Sequence, residues 1–171
     1  MTSENSGGNE ARSVLRVGGA DARDFLQNLV TNDVTKLDHG PVYAALLTPQ
    51  GKTMFDMIVW PGRPCEYGET ILLDCEAAVA DDLVKRLSLY RLRRKLAIAV
   101  DDTLEVHWQK GPREGASPDP RLPALGWRGL ASTGDNNGAA DDAWRAHRLS
   151  CGVPEGSEDL GDILWLETNA V

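Results

Sequence analysis

A chain of 171 residues, 42% hydrophobic and 26% charged, is long enough for one ordinary domain, or one and a half, around a buried core. Its net charge of −8, from 26 acidic against 18 basic residues, argues against wholesale nucleic-acid binding and leaves only a local basic patch for that purpose. Three widely spaced cysteines, Cys65, Cys75 and Cys151, make neither a disulfide framework nor a CxxC pair, and no apolar run approaches the roughly 20 residues of a membrane span.

The first ten residues, Met1 to Glu10, are polar and acidic. They lack the apolar stretch of a signal peptide and the arginine-rich pattern of a mitochondrial presequence, so a flexible tail over 1–12 and a cytoplasmic protein are expected. Ser13 to Val17 predicts a short strand, broken by Gly18 and Gly19. From about Asp21, the residues Ala22, Phe25, Leu26, Leu29 and Val30 recur at helical spacing. Asp21 and Asp24 fall in the first turn, where the helix dipole favours acids. Thr31, Asn32 and Asp33 end that helix by bonding their own backbone.

Residues 43–60 predict a β-hairpin, because two apolar runs flank Thr48-Pro49-Gln50-Gly51. Pro49 presets φ at the first central turn position, and Gly51 can take the positive φ that closes the turn. On the second strand Lys52, Met54, Asp56, Ile58 and Trp60 share one face; Thr53, Phe55, Met57 and Val59 share the other. Both faces are largely apolar, which predicts a central strand covered on both sides. Asp56 then sits mid-strand, where a carboxylate is costly unless paired or hydrogen-bonded. Two readings stay open: a structural acceptor for a neighbouring Arg or loop backbone, or a functional acid.

Thr70 to Leu73 predicts a further strand, and residues 77–90 a second helix with Val79, Leu83, Leu87 and Tyr90 inward. Leu96–Val100 and Leu104–Trp108 predict two more strands. The order β-α-β-β-β-α-β-β is an α+β pattern, mainly antiparallel strands carrying helices on one face. Residues 110–121 and 132–140 are Gly-, Pro-, Asn- or Asp-rich and read as loops, with Leu125–Leu130 a single strand between them. Asp141–Leu149 predicts a short helix capped by Asp141 or Asp142 and ended near Cys151-Gly152.

No self-sufficient catalytic motif is present. There is no phosphate loop, and His39, His107 and His147 lack metal-ligand spacing. The run Lys85-Arg86 and Tyr90-Arg91-Leu92-Arg93-Arg94-Lys95 gathers six basic groups on an acidic chain. It is either a solvated helix end or a landing site for carboxylates or phosphates; in a strand Arg91, Arg93 and Lys95 would line one face.

Several stretches together carry a family resemblance. Val17-Gly18-Gly19-Ala20-Asp21-Ala22-Arg23-Asp24-Phe25-Leu26-Gln27 continues to Thr31-Asn32-Asp33-Val34. Thr48-Pro49-Gln50-Gly51-Lys52 follows, with Phe55-Asp56 after it. Leu89-Tyr90-Arg91-Leu92-Arg93-Arg94-Lys95 and Arg148-Leu149-Ser150-Cys151-Gly152-Val153-Pro154-Glu155-Gly156 complete the set. Their order and spacing resemble the YgfZ family of folate-binding proteins, which includes a mitochondrial iron–sulfur assembly factor. More distantly they are similar to the aminomethyltransferase (T-protein) of the glycine cleavage system.

The resemblance implies an aminomethyltransferase-like folate-binding α+β fold, with a ferredoxin-like antiparallel sheet and helices. It implies tetrahydrofolate as cofactor, and as partners folate and the iron–sulfur assembly machinery or its client enzymes. No membrane association and no direct nucleic-acid binding are expected, although the family is often labelled tRNA-modifying. Asp56 falls on the acid that faces the folate, and Arg148 on the Arg of the Leu-Arg-Leu-Glu-Ala-Gly stretch. Asp74 stands where the T-protein has Asn, and Ser150 where it has Glu. Arg91 and Arg93 are candidates for the anionic glutamate tail, without a residue match in the family.

The family's Lys-Gly-Cys-Tyr-x-Gly-Gln-Glu signature is absent. The implied division is a folate-binding domain over 13–109, a variable linker over 110–142, and over 143–171 the start of a C-terminal segment cut short before that signature. The expected role is an accessory protein rather than an enzyme. Its rivals are a folate-dependent aminomethyl or one-carbon transferase and a tRNA-binding module.

Overall fold

Alternation along the strands and two amphipathic helical stretches decide the architecture seen in the computed structural model, which describes residues 12–134 and 141–168. Strands β1 (Arg12–Gly19), β2 (Val42–Leu47), β3 (Thr53–Cys65), β4 (Gly68–Glu76) and β5 (Ala97–Val100) form one sheet in the order β2-β3-β4-β1-β5. Every neighbouring pair is antiparallel. Strands β6 (Leu104–Gln109), β7 (Ala116–Pro118) and β8 (Trp127–Ser132) form a second sheet, β6-β8-β7, also antiparallel. The helices are α1 (Ala22–Gln27), α2 (Ala80–Tyr90), α3 (Asp141–Ser150) and α4 (Gly156–Leu160). The class is α+β, as the residue pattern predicts, and among the described residues no helix is long and apolar enough to cross a membrane.

The hairpin between β2 and β3 closes as its turn chemistry requires. Gly51 takes φ +83°, its N–H donates to the Thr48 carbonyl at 2.9 Å, and the Thr48 N–H donates to the Lys52 carbonyl at 2.8 Å. β3 lies between β2 and β4, which pair both its edges, and a separate layer packs on each of its faces. On one face Met57 and Val59 join Leu15, Val17, Ile71, Leu73 and Cys75 against Phe25 and Leu26 of α1 and Leu83 and Leu87 of α2. Leu83 and Leu87 are fully buried, and truncating either to Ala costs about 2–5 kcal/mol. On the opposite face Ile58 and Trp60 join Tyr43 and Ala45 under Leu130 of β8, Leu160 of α4 and Trp165.

Four expectations change. The first helix stops at Gln27 because the chain beyond it turns back to satisfy the outer edge of β2. Val30 bridges Leu46, the Thr31 N–H donates to the Ala45 carbonyl at 3.0 Å, and the Thr31 hydroxyl accepts from the Ala45 N–H at 2.9 Å. An otherwise open sheet edge is closed this way. Within the linker expected over 110–142, the strand predicted over 125–130 lies at 127–132, residues 116–118 add a strand where a loop was expected, and Leu125 packs with Trp108 and Trp144 in a third apolar cluster. Residues 91–95 are a turn rather than a strand, with Leu92 at φ +51°. The tail expected over 1–12 lies outside the described residues except for Arg12, which is buried in β1. The caps Asp141 and Asp142 expected for α3 sit at the margin of the described residues, and the Asp141 side chain lies outside them.

The three thiols differ in reach. Cys65 is exposed, Cys151 intermediate and Cys75 buried, and burial pushes the Cys75 thiol up to about 12. A thiol reagent at neutral pH is therefore expected to modify Cys65 first and Cys75 only after urea is added. Rapid labelling of Cys75 in native protein, read by peptide mass, would contradict the packing of β4.

Candidate functional site

Asp56 projects from the face of β3 that carries Ile58 and Trp60, toward the second sheet and the C-terminal helices. It is 4% exposed. The Tyr43 hydroxyl donates to its Oδ2 at 2.9 Å, and the Gly156 N–H donates to its Oδ1 at 3.2 Å. Tyr43 is on β2, two residues before Ala45, which faces Asp56 across the strand pair. Burial first, then the neighbouring Asp56 charge, push the Tyr43 phenol well above its usual value, so it stays a donor. No arginine or lysine among the described residues lies within ion-pair reach of Asp56.

Around this acid is a buried network of arginines, carboxylates and aromatic rings. Arg12 of β1 donates to the Asp74 carboxylate at 2.7 Å and to the Asp74 carbonyl at 2.9 Å. Arg128 of β8 reaches the same carboxylate at 2.6 Å, tying the second sheet to the first. Arg121 pairs with Asp119 at 2.7 Å and with Glu155. Its guanidinium lies 5.5 Å from the centroids of both Tyr43 and Trp144, and Arg128 lies 5.3 Å from that of Trp144. Trp144 donates its indole N–H to Glu155 at 3.2 Å, and Tyr43 packs on Trp165 at 5.6 Å between centroids.

Burial alone would raise the Asp74 and Glu155 carboxyls; the arginine charges more than offset it and hold both below their usual values. Asp56, Asp74, Asp119 and Glu155 against Arg12, Arg121 and Arg128 leave one net negative charge by formal count. Asp56 is the carboxylate whose named partners are neutral donors.

The segment 153–159 closes this site. Arg148 donates to the Val153 carbonyl and to Asp159, each at 2.6 Å; the Glu155 N–H donates to Asp159 at 3.0 Å. Ser157 is clasped to Glu76 through its N–H at 2.8 Å and its hydroxyl at 3.0 Å. Gly156 takes φ +75° and sits over Glu76, where a Cβ would come within 3.2 Å of the carboxylate. Both features favour glycine at the point where the backbone touches Asp56.

The residues expected to meet a cofactor are thus dispersed. Asp56 is buried but has acceptor capacity left. Asp74 is a correction: it is wholly buried and its oxygens are taken by two arginines, so it holds the sheets together and offers nothing to a ligand. Arg148 is buried; its Nη1 holds segment 153–159, while its Nε is buried without a hydrogen-bond partner among the described residues. Arg91 and Arg93 lie by the Gly19 end of the sheet. Asp56 is nine residues along β3 from Cys65 at that end, roughly 30 Å of strand. Arg12, Arg121, Arg128, Trp144 and Glu155 were not legible as site residues, because no local pattern marks them.

No protein-family model matches the chain. Curated relatives do. An iron–sulfur cluster assembly factor IBA57, mitochondrial, from Homo sapiens is 34% identical over 94% of this chain and 54% of its own length. Its counterpart from Mus musculus is 31% identical over 95% and 55%, and that of Mycosarcoma maydis 31% over 92% and 46%.

The chain is homologous to the IBA57/YgfZ-type family.

It spans about half the length of the family members it matches. These relatives are mitochondrial proteins, which overturns the cytoplasmic location inferred from the polar N-terminal residues. Among solved structures, aminomethyltransferase T of the glycine cleavage system from Bartonella henselae aligns at 17% identity and a TM-score of 0.48, over 86% of this chain and 31% of that one.

Proposed function

We propose that the chain is the folate-binding portion of an accessory protein for iron–sulfur cluster assembly. The observation that carries the reading is Asp56, a buried carboxylate paired with neutral donors beside an aromatic and arginine-lined wall. A carboxylate whose direct hydrogen-bond partners are neutral, with Arg12 acting on it only through space, complements the adjacent N–H donors of an aminopyrimidine ring, such as the pterin of tetrahydrofolate. The relatives' role in cluster assembly supports the rest of the proposal. Asp56 would hold the pterin, with Tyr43 orienting the acid and Trp165 supporting the Tyr43 ring. Tetrahydrofolate itself would supply one-carbon or redox chemistry. The residues here bind, orient and exclude water. Because Gly156 covers Asp56, entry requires segment 153–157 to lift.

The test is thermal stabilisation. Tetrahydrofolate at a hundredfold excess over Kd adds about 2.7 kcal/mol of stability, worth several degrees in Tm. Asp56→Asn is expected to keep the circular dichroism spectrum of the native protein and to remove most of that shift. Tyr43→Phe is expected to weaken it by about 1 kcal/mol, the value of one hydrogen bond. Equal shifts in wild type and Asp56→Asn would clear Asp56 of a ligand role.

A further inference from the structure

The turn that carries α2 into β5 is displayed rather than packed. Leu92 holds φ +51°, a backbone region that L-residues with a bulky side chain rarely adopt, and its side chain is 85% exposed. Burial of the leucine therefore does not offset the conformation. Tyr67, from the turn between β3 and β4, is 75% exposed. Between the two turns and the Gly18-Gly19 end of β1 runs an open groove of about 1080 Å³.

Its cations are unequal. Arg91 donates to the Leu96 carbonyl at 2.7 Å, Arg94 pairs with Asp24 at 2.6 Å, and Arg16 pairs with Asp101. Arg93 and Lys95 are exposed and make no hydrogen bond or ion pair with the described residues. Against one exposed acid in the lining, Asp21, two uncommitted cations and three paired arginines beside two displayed apolar side chains form a local patch opposite in sign to the chain's net charge of −8. The groove continues onto β5, an outer strand of the main sheet whose Ala97 and Ala99 are exposed. β1 is the sole strand neighbour of β5 among the described residues.

We propose that this groove docks an extended acidic segment of a partner protein through an apolar anchor. Carboxylates of the segment meet Arg93 and Lys95, its anchor packs on Leu92 and Tyr67, and its backbone runs along the free edge of β5. Charge complementarity selects an acidic partner, and the displayed leucine and tyrosine select a protein. A nucleic acid needs more phosphate contacts than two free cations supply, and gains nothing from Leu92. The proposal does not involve folate, so it stands or falls separately from the reading of Asp56.

The experiment uses the full chain and a fluorescein-labelled pool of short peptides that set several glutamates around one Leu or Phe, followed by anisotropy. The pool is expected to bind at least about tenfold more tightly than the same pool with Ser in place of the apolar residue. Leu92→Gly is the decisive variant. Glycine accepts φ +51° freely, so Tm should hold or rise while the preference for the apolar pool is lost. Arg93→Glu combined with Lys95→Glu should weaken binding at least about tenfold.

The proposal is overturned if both pools bind alike, or if neither binds. It is overturned too if Leu92→Gly retains the preference. Tighter binding of tRNA with a steep salt dependence would make the patch a nucleic-acid site. Concentration-dependent dimerisation abolished by Leu92→Gly would make its occupant a second copy of the chain.

Discussion

Replacing Asp74 by Asn is expected to lower the unfolding free energy by about 3–5 kcal/mol, the cost of breaking a buried ion pair from one side. Asp74 is wholly buried and is the shared counter-ion of Arg12 and Arg128, whose side chains are 3% and 1% exposed. An amide at this position leaves Arg12 with only its longer pair to Glu155 at 3.9 Å, and Arg128 with no carboxylate in ion-pair reach among the described residues. Domains of this kind have only about 5–15 kcal/mol in total, so the variant should sit close to its unfolding threshold. Urea denaturation followed by tryptophan fluorescence measures the loss. A loss below about 1 kcal/mol would mean that water or backbone takes over the arginines, and that the triad is not what joins the two sheets. A second variant separates charge from shape: Arg12→Met, Asp74→Leu and Arg128→Met together should recover most of the stability, because an apolar set of similar volume needs no counter-ion.

That triad also marks where the residue pattern stops being informative. The hairpin at 43–60 was legible because its turn residues and its alternation agree, and Gly51 and Met57 sit as they require. The α2 stripe was legible in part: Leu83 and Leu87 lie one turn apart and both point inward, but Tyr90, expected beside them, is exposed at the helix end. Asp56 was noticeable as a polar residue among apolar ones. Asp74 was noticeable too, but its role was not. Its partners are 62 and 54 residues away, at a strand start that looks like tail and in a strand flanked by glycine-rich loops. Local propensity carries no trace of pairings at that separation. Arg121 is harder still, because its stretch reads as a loop, and its role depends on Tyr43 and Trp144 arriving from opposite ends of the chain. The turn at the basic run was illegible for a different reason. A positive φ at Leu92 has no signature in residue type, since leucine is not a turn residue.

The same buried carboxylates should make the protein acid-labile, with a slope that Glu155 controls in part. Asp74 and Glu155 titrate below their usual values of 3.8 and 4.5, because arginine charges outweigh the effect of burial. A carboxyl whose folded value is depressed binds its proton more readily in the unfolded chain. Its contribution is therefore complete above the unfolded value and is lost as pH falls toward the folded one. Each such group costs about 1.4 kcal/mol per pH unit once its unfolded form is protonated, so the two together take about 2.7 kcal/mol per unit below roughly pH 3.5. Urea titrations at stepped pH values between about 6 and about 3 should show a flat profile above about pH 5 and a steep fall beneath it. Glu155→Gln keeps an acceptor for the Trp144 indole and leaves Arg121 paired with Asp119. It should cost about 1–3 kcal/mol at neutral pH, less than Asp74→Asn, and should flatten the acid limb by about 1.4 kcal/mol per unit. An acid limb as steep in Glu155→Gln as in the wild type would mean that Glu155 is protonated alike in both states. The grip of segment 153–159 on the Asp56 site would then rest on Arg148 and Glu76 instead.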